Sequence, residues 1–229
     1  MKAMQRLIMT SAAYRQSSHV DLAVHQADPD NVFLSRMPMR RMEAEVLYDS
    51  ILKVTGSFDP TLFGPPVEVD IKPEGEVVAK GTQMGWRRSV YVLQRRRFPM
   101  TMLDVFDLPP MSPNCIERRQ STVPTQALQM MNSDVVQERS RYFAGRLIDE
   151  FGNDREGQIK ALYLRALSRD PTGQEIALAK KEIDGLTRHW MAHLENEKNE
   201  PPIKSTAEWK ALSGFCQAML SSAEFLYVD

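Results

Sequence analysis

Residues 121–152 read STVPTQALQMMNSDVVQERSRYFAGRLIDEFG, and the period of this stretch decides the fold class. Ser121 or Thr122 offers a cap, and Pro124 falls in a first helical turn, where its missing N–H is harmless. Asn132-Ser133 marks a break and a fresh start. Beyond it Val136, Phe143, Leu147 and Phe151 recur at three- and four-residue spacing, the period of a helix that buries one face.

The same period extends in both directions. Residues 154–198 read as two helices joined at Arg169-Asp170-Pro171, the second opened by a capping box of Thr172 with Glu175. After the linker NEPPIK (199–204), Ser205 and Glu208 repeat the box, and Trp209, Leu212, Cys216, Met219 and Leu220 line a last apolar face. Residues 134–229 are therefore expected to form four consecutive helices that pack as a bundle, because short connections favour antiparallel neighbours. Upstream, Met39, Met42, Val46, Leu47, Ile51 and Val54 keep the helical spacing and Gly56 supplies the stop. Arg40, Arg41, Glu45, Asp49 and Lys53 make a mixed-sign opposite side.

From residue 57 to about 98 the period is lost. Val67, Val69 and Ile71 alternate ahead of a turn at Pro73-Glu74-Gly75, which fits a short hairpin and an irregular loop equally well. RRSVYVLQR reads as a strand, with Arg88, Val90 and Val92 on one side and Ser89, Tyr91 and Leu93 on the other. The fold class is mainly α, with a bundle-like helical C-terminal half and a small β or irregular insertion in the middle. A single domain over 1–229 is expected, helical over 1–56, irregular or β over 57–98, and helical again over 99–229.

The bulk numbers exclude several functions. The 229 residues, 42% hydrophobic and 26% charged, suit a protein with a sizeable core. A net charge of −1 argues against nucleic acid as partner, which calls for clustered excess positive charge. No apolar run approaches the roughly 18–20 residues that span a bilayer. At the N-terminus, Lys2 and Arg6 precede only Leu7-Ile8-Met9, too short for a signal peptide's apolar core. Met4, Leu7, Ile8, Ser11 and Ala12 instead share a face, so residues 2–17 read as a core helix.

Chemistry-bearing motifs are scarce. His189 and His193 stand four apart in HWMAH, but Trp190 occupies the place of a zincin's glutamate and only Glu197 offers itself as a third ligand. The reading is a solvated helix flank, with no metal. His19 and His25 are read in a polar loop with no motif. Cys115 and Cys216 belong to no CxxC or CxxCH pattern, so no haem attachment or other cofactor is read, and they leave two readings open, one disulfide or two buried thiols. No GxSxG, Walker A or dinucleotide loop is present, so the reading leans away from an enzyme.

Arginine is the sharpest signal. Between residues 87 and 119 there are seven (Arg87, Arg88, Arg95, Arg96, Arg97, Arg118 and Arg119), no lysine, and three acids, Asp104, Asp107 and Glu117. Lysine would serve for solvation, whereas arginine's planar fork binds carboxylate, sulfate or phosphate bidentately and tolerates burial. One reading is an anion site, with Trp86 and Tyr91 as stacking platforms for a sugar. The other, carried forward, is a set of clamps onto carboxylates and helix-end carbonyls. Asp104 and Asp107 are the nearest acids in sequence, and Arg88 would share a buried face with Val90 and Val92.

The stretch RRSVYVLQRRRFPMTMLDVFDLPP, followed by NC and RRQSTVPTQALQMMN, resembles the planctomycete domain-of-unknown-function 1553 family, also called planctomycete-specific domain one. MTSAAYRQSS, DPDN, RMPMRRMEAEVLYDSIL, YLRALSRDPTGQEI and CQAMLSSAEFLYVD resemble it too, in order along the chain. The resemblance implies the C-terminal part of a large exported, periplasmic or extracellular multidomain protein. It implies other domains of that parent as partners, a cytochrome-c-like haem module among them, and it carries over no catalytic residues. The leading expectation is a non-catalytic structural or interaction module. The alternative is a domain that binds or processes sulfated or carboxylated glycans through its arginines.

Overall fold

The computed structural model describes residues 1–110, 115, 118, 120–198 and 204–228, and it is mainly α, with ten helices and three two-stranded ladders among those residues. Two compact units are present, Met1–Met42 with the strand Tyr227–Val228, and Glu43–Leu226.

The first unit holds helices α1 (Lys2–Thr10) and α2 (Leu22–Ala27) and strand β1 (Arg40–Arg41), which pairs antiparallel with the chain's last strand, residues 227–228. The DPDN stretch is a hydrogen-bonded loop. The Asp28 carboxylate accepts from the Val32 and Phe33 N–H groups at 2.8 and 2.9 Å, which turns the chain back on itself. The N-terminal helix forms as its spacing predicts, but it ends at Thr10 and buries no residue. The expected core helix over 2–17 is corrected on both counts. Amphipathic spacing specifies a helix, not what covers its apolar face. His25 also falls on α2 rather than in a loop.

The second unit opens with α3 (Ala44–Thr55), whose Leu47, Tyr48, Ile51 and Leu52 are fully buried. Leu47 and Ile51 lie on the expected face, while Met39 and Val46 are exposed. The helix stops at Gly56, which is left-handed (φ 81°) and caps the Leu52 and Lys53 carbonyls. A Cβ there would overlap the Arg146 guanidinium, which bonds the Thr55 carbonyl at 3.0 Å. A hairpin of β3 (Val69–Ile71) and β4 (Val77–Ala79) then settles the open choice at 67–79, and β2 (Phe58–Asp59) pairs in parallel with β5 (Trp86–Arg87). The strand expected over 88–93 is instead a 3-10 turn at Ser89–Tyr91, with Val90 exposed and Val92 buried. Ser89 donates its N–H to the Asp49 carboxylate on α3, and past the turn only Val92 keeps a strand-like partner, a single parallel bridge to Val67.

Helices α4 (Thr101–Val105), α5 (Pro124–Asn132), α6 (Asp134–Phe151), α7 (Arg155–Leu167), α8 (Gly173–Lys198) and α9 (Lys204–Leu220) follow, with a short α10 (Ala223–Leu226). The predicted break at Asn132-Ser133 is present. The stripes meet in one core. Phe143 and Leu147 of α6, Ile159 and Leu162 of α7, Ile183 of α8, and Leu212 and Cys216 of α9 are all fully buried. Polar threads fasten the layers. Trp209 Nε1 donates to the Arg141 carbonyl at 3.0 Å, and Gln217 Nε2 donates to the Met131 carbonyl at the end of α5 at 2.7 Å. Cys216 and Cys115 are not bridged, since one is buried in this core and the other exposed.

The Thr172–Glu175 capping box forms as read, the Thr172 N–H donating to Glu175 at 2.7 Å. Arg169 joins Glu175 and Glu224, tying the start of α8 to α10. The Ser205 side chain, expected to open the second box, lies outside the described residues, as do Glu117, Arg119 and the Glu197 side chain.

Arg169 and the Thr172 N–H hold the Glu175 carboxyl down at about 2. Its folded pKa thus lies below the unfolded value of about 4.3, so its contribution is present above pH ~4.3 and is lost as pH falls toward 2. Wild type should lose part of its stability between about pH 5 and 2. In Glu175→Gln that part of the pH slope should flatten, and the two chains should converge below pH ~2. Urea midpoints across this range measure it. Parallel slopes would mean that the pair adds nothing.

Candidate functional site

The arginine cluster does not form one site. The fold divides it. Arg87 lies beside Asp59 across the β2–β5 pair and is buried, at 7% exposure. Its guanidinium donates to the Pro65 and Thr61 carbonyls at 3.1 Å each and to the Phe63 carbonyl, and it stacks on the Tyr91 ring at 4.1 Å. One side chain thereby collects the carbonyls of an extended loop with few backbone partners of its own. Asp59 serves the same loop. It accepts from the Thr61 N–H at 2.9 Å and the Thr82 hydroxyl at 2.6 Å, and these bonds lower its pKa.

Arg88 lies at the surface, with its side chain 54% exposed, and donates Nε to Asp49 at 2.8 Å. The buried guanidinium is therefore Arg87, not Arg88, because the 3-10 turn ends the alternation that would have placed 88 beside Val92. Arg118 forks onto Glu45 with two bonds of 2.8 Å and reaches Glu43 at 3.0 Å. The Arg118 hydrogen bonds hold the Glu45 carboxyl below its usual range. The acids that receive Arg88 and Arg118 thus stand on α3, rather than at Asp104 and Asp107 as sequence proximity suggests. Asp107 takes a left-handed turn (φ 67°) and accepts from the Ser121 N–H and hydroxyl at 2.8 Å each, tying α4 to the approach of α5. Glu76 adds a third fastening, accepting from Gln129 at 3.0 Å and Ser133 at 2.6 Å.

Two clefts border these residues. A groove of about 760 Å³ runs along α3, lined by Glu45, Val46, Asp49, Lys53, Phe58 and Val90 among others. A smaller cleft of about 390 Å³ is lined by Gln94, Arg95, Arg96, Pro99, Asp104 and Pro109 among others. Arg95, Arg96 and Asp104 are exposed, and among the described residues their charged groups form no ion pair or hydrogen bond. The structure therefore brings Arg95, Arg96 and Asp104 together and places Arg87, Arg88, Arg118 and Asp107 in separate internal fastenings.

Trp86 and Tyr91, read as sugar platforms, each have an arginine on the ring. Tyr91 carries Arg87, and Trp86 carries Arg139 at 3.4 Å. Arg139, missed by the sequence reading, is buried on α6 between Val136 and Phe143, three residues after the first, so its place on the apolar stripe was there to be found. It donates to Glu138 at 3.0 Å. Close to it, the buried Tyr48 hydroxyl has its pKa pushed up by desolvation. His189 and His193 both lie edge-on to Trp190, at 6.4 and 5.5 Å between ring centres, and Lys210 of α9 sits over the same ring at 4.4 Å. No group of three or more His, Cys, Asp or Glu is placed to hold a metal among the described residues. No helix among them is long and apolar enough to cross a membrane.

The model of a family described as PSD1, protein of unknown function (DUF1553), matches residues 1–183. No curated protein and no solved structure matches the chain.

Substitution separates the buried arginine from the exposed one. Arg87→Ala removes the donor to three carbonyls and should cost about 2–4 kcal/mol. Arg88→Ala breaks a half-exposed pair and should cost less than about 1 kcal/mol. Denaturant unfolding of the two variants reads the difference directly, and the reverse order would restore the strand reading.

Proposed function

The chain belongs to the PSD1 family of proteins of unknown function, and on that premise we propose that it is a non-catalytic interaction module of a larger exported protein. Its compartment in this reading is periplasmic or extracellular, and its partners are other domains of its parent, a cytochrome-c-like haem module among them. The observation that carries the reading is α1. Its apolar residues Leu7 and Ile8 are 67% and 51% exposed, and Met4 and Met9 are exposed beside them. An amphipathic helix with its apolar face in water is a surface made for a partner.

Groups that catalysis would use are tuned the other way. Glu45, on the wall of the larger groove, is held ionised by Arg118, which makes it a weaker base. The buried Cys216 thiol is pushed up by desolvation and carries little nucleophilic thiolate. A second reading, binding of an anionic glycan, is favoured by the unpaired Arg95 and Arg96.

Leu7→Ser with Ile8→Ser tests the interaction reading. Both side chains lie in water, so the urea midpoint should stay within about 0.5 kcal/mol of wild type. Binding of a hydrophobic dye should fall, and in the parent polypeptide the same pair should loosen protease protection at the domain junction. A stability loss beyond about 2 kcal/mol would mean that the face is buried by the chain itself, and the reading fails.

A further inference from the structure

Among the described arginines of the 87–119 segment, subtracting the internal pairs leaves Arg95, Arg96 and Arg97 without a carboxylate or carbonyl partner. The chain is pinned at Leu93, whose N–H bonds the Val67 carbonyl at 2.8 Å, and Arg95, Arg96 and Arg97 follow, all exposed. Arg97 lies against Phe98, 5.4 Å from its ring centre. Arg95 and Arg96 line the 390 Å³ cleft together with Asp104, yet the three charges do not pair with one another. Adjacent guanidinium groups repel, and neither is relieved by the nearby carboxylate.

A ligand for such a cleft must supply acceptors to two guanidinium forks and a donor to one carboxylate. A simple polyanion meets the first demand and is repelled at the second. An anion that also carries hydroxyl groups meets both. The remaining wall is Gln94, one further polar group, and the apolar Pro99, Leu108, Pro109 and Pro110, a surface for the C–H face of a ring, and the volume lies within the range of small-ligand sites. We infer that the Arg95/Arg96/Asp104 cleft binds a sugar bearing a sulfate or carboxylate, the anion on the two arginines and a neighbouring hydroxyl donating to Asp104. The assignment rests on the glycan reading and names its site.

Titration calorimetry of the full chain at low salt, with hexasaccharides that are sulfated, uronic or neutral, and with inorganic polyphosphate as a hydroxyl-free polyanion, tests it. At least one anionic sugar should bind and the neutral one should not, and the sulfated and uronic arms identify the anion. Arg95→Ala with Arg96→Ala should weaken that binding by roughly tenfold or more, as expected for lost charge-assisted hydrogen bonds. Asp104→Asn should weaken the sugar severalfold and strengthen polyphosphate. These residues are exposed, so an unchanged melting curve confirms that each variant is folded. Binding that survives the double arginine change overturns the site and leaves the glycan reading standing. No binding of any anionic sugar overturns both. Asp104→Asn strengthening sugar and polyphosphate alike would show a nonspecific basic patch and overturn the inference.

Discussion

Glu45 and Asp49 stand one turn apart on the same side of α3, the like-charge spacing that weakens a helix by a few tenths of a kcal/mol. Both face arginines from far along the chain, Arg88 at a separation of 39 residues from Asp49 and Arg118 at 73 from Glu45. The rest of the middle segment depends on this arrangement. The segment between α3 and α5 has only two- and three-residue strands, too short to hold themselves. Its position comes from side chains. Arg88 fixes the 3-10 turn to α3, Trp86 lies against Arg139 on α6, and Glu76 reaches the junction of α5 with α6. Exposed pairs of this kind contribute little each. They add direction to a placement that the segment's buried apolar anchors, Val77, Val78, Val92, Met102, Leu103 and Phe106, hold by non-directional burial.

The helical core was legible because its information is periodic and local. Val136, Phe143 and Leu147 announce their buried face in the sequence alone, and the capping box at Thr172 needs only Glu175 three residues on. The middle was less legible because its determinants lie elsewhere in the chain. Val90 and Val92 alternate like a strand, but the Ser89 N–H is claimed by Asp49, forty residues earlier, and the turn that results sends the two valines to different environments. The identity of the buried arginine shifted by one residue for that reason. Of the candidate site residues, the sequence displays the segment and its use of arginine over lysine. It could not say which guanidinium groups would find carboxylates, since α3 carries those carboxylates at positions that read as an ordinary polar helix face.

Burial and pairing also explain why arginine is used where it is. Arg87 satisfies three carbonyls in different directions, and Arg118 meets both oxygens of Glu45 at 2.8 Å. An ammonium group has neither the fork nor the reach for these tasks. Stacking completes the argument, since Arg87 on Tyr91 and Arg139 on Trp86 present flat cations to flat rings while their edges remain free for hydrogen bonds.

A nearly neutral chain can therefore hold an arginine-rich segment without being a polyanion binder. Net charge averages over groups whose fields are cancelled at contact distance and groups whose fields reach into solvent. In this protein Arg88, Arg118 and Arg169 belong to the first class, each within 3 Å of a carboxylate oxygen. Arg95 and Arg96 belong to the second. Arg87 and Arg139 form a third class, cations buried on aromatic rings, Arg87 among carbonyls and Arg139 beside the Glu138 carboxylate, where they are withheld from any ligand. A functional reading based on arginine count would have joined all three classes into one basic site. Among the described arginines of the 87–119 segment, sorting them by partner leaves the charge available to a ligand after Leu93, beside a carboxylate that a bare polyanion would avoid.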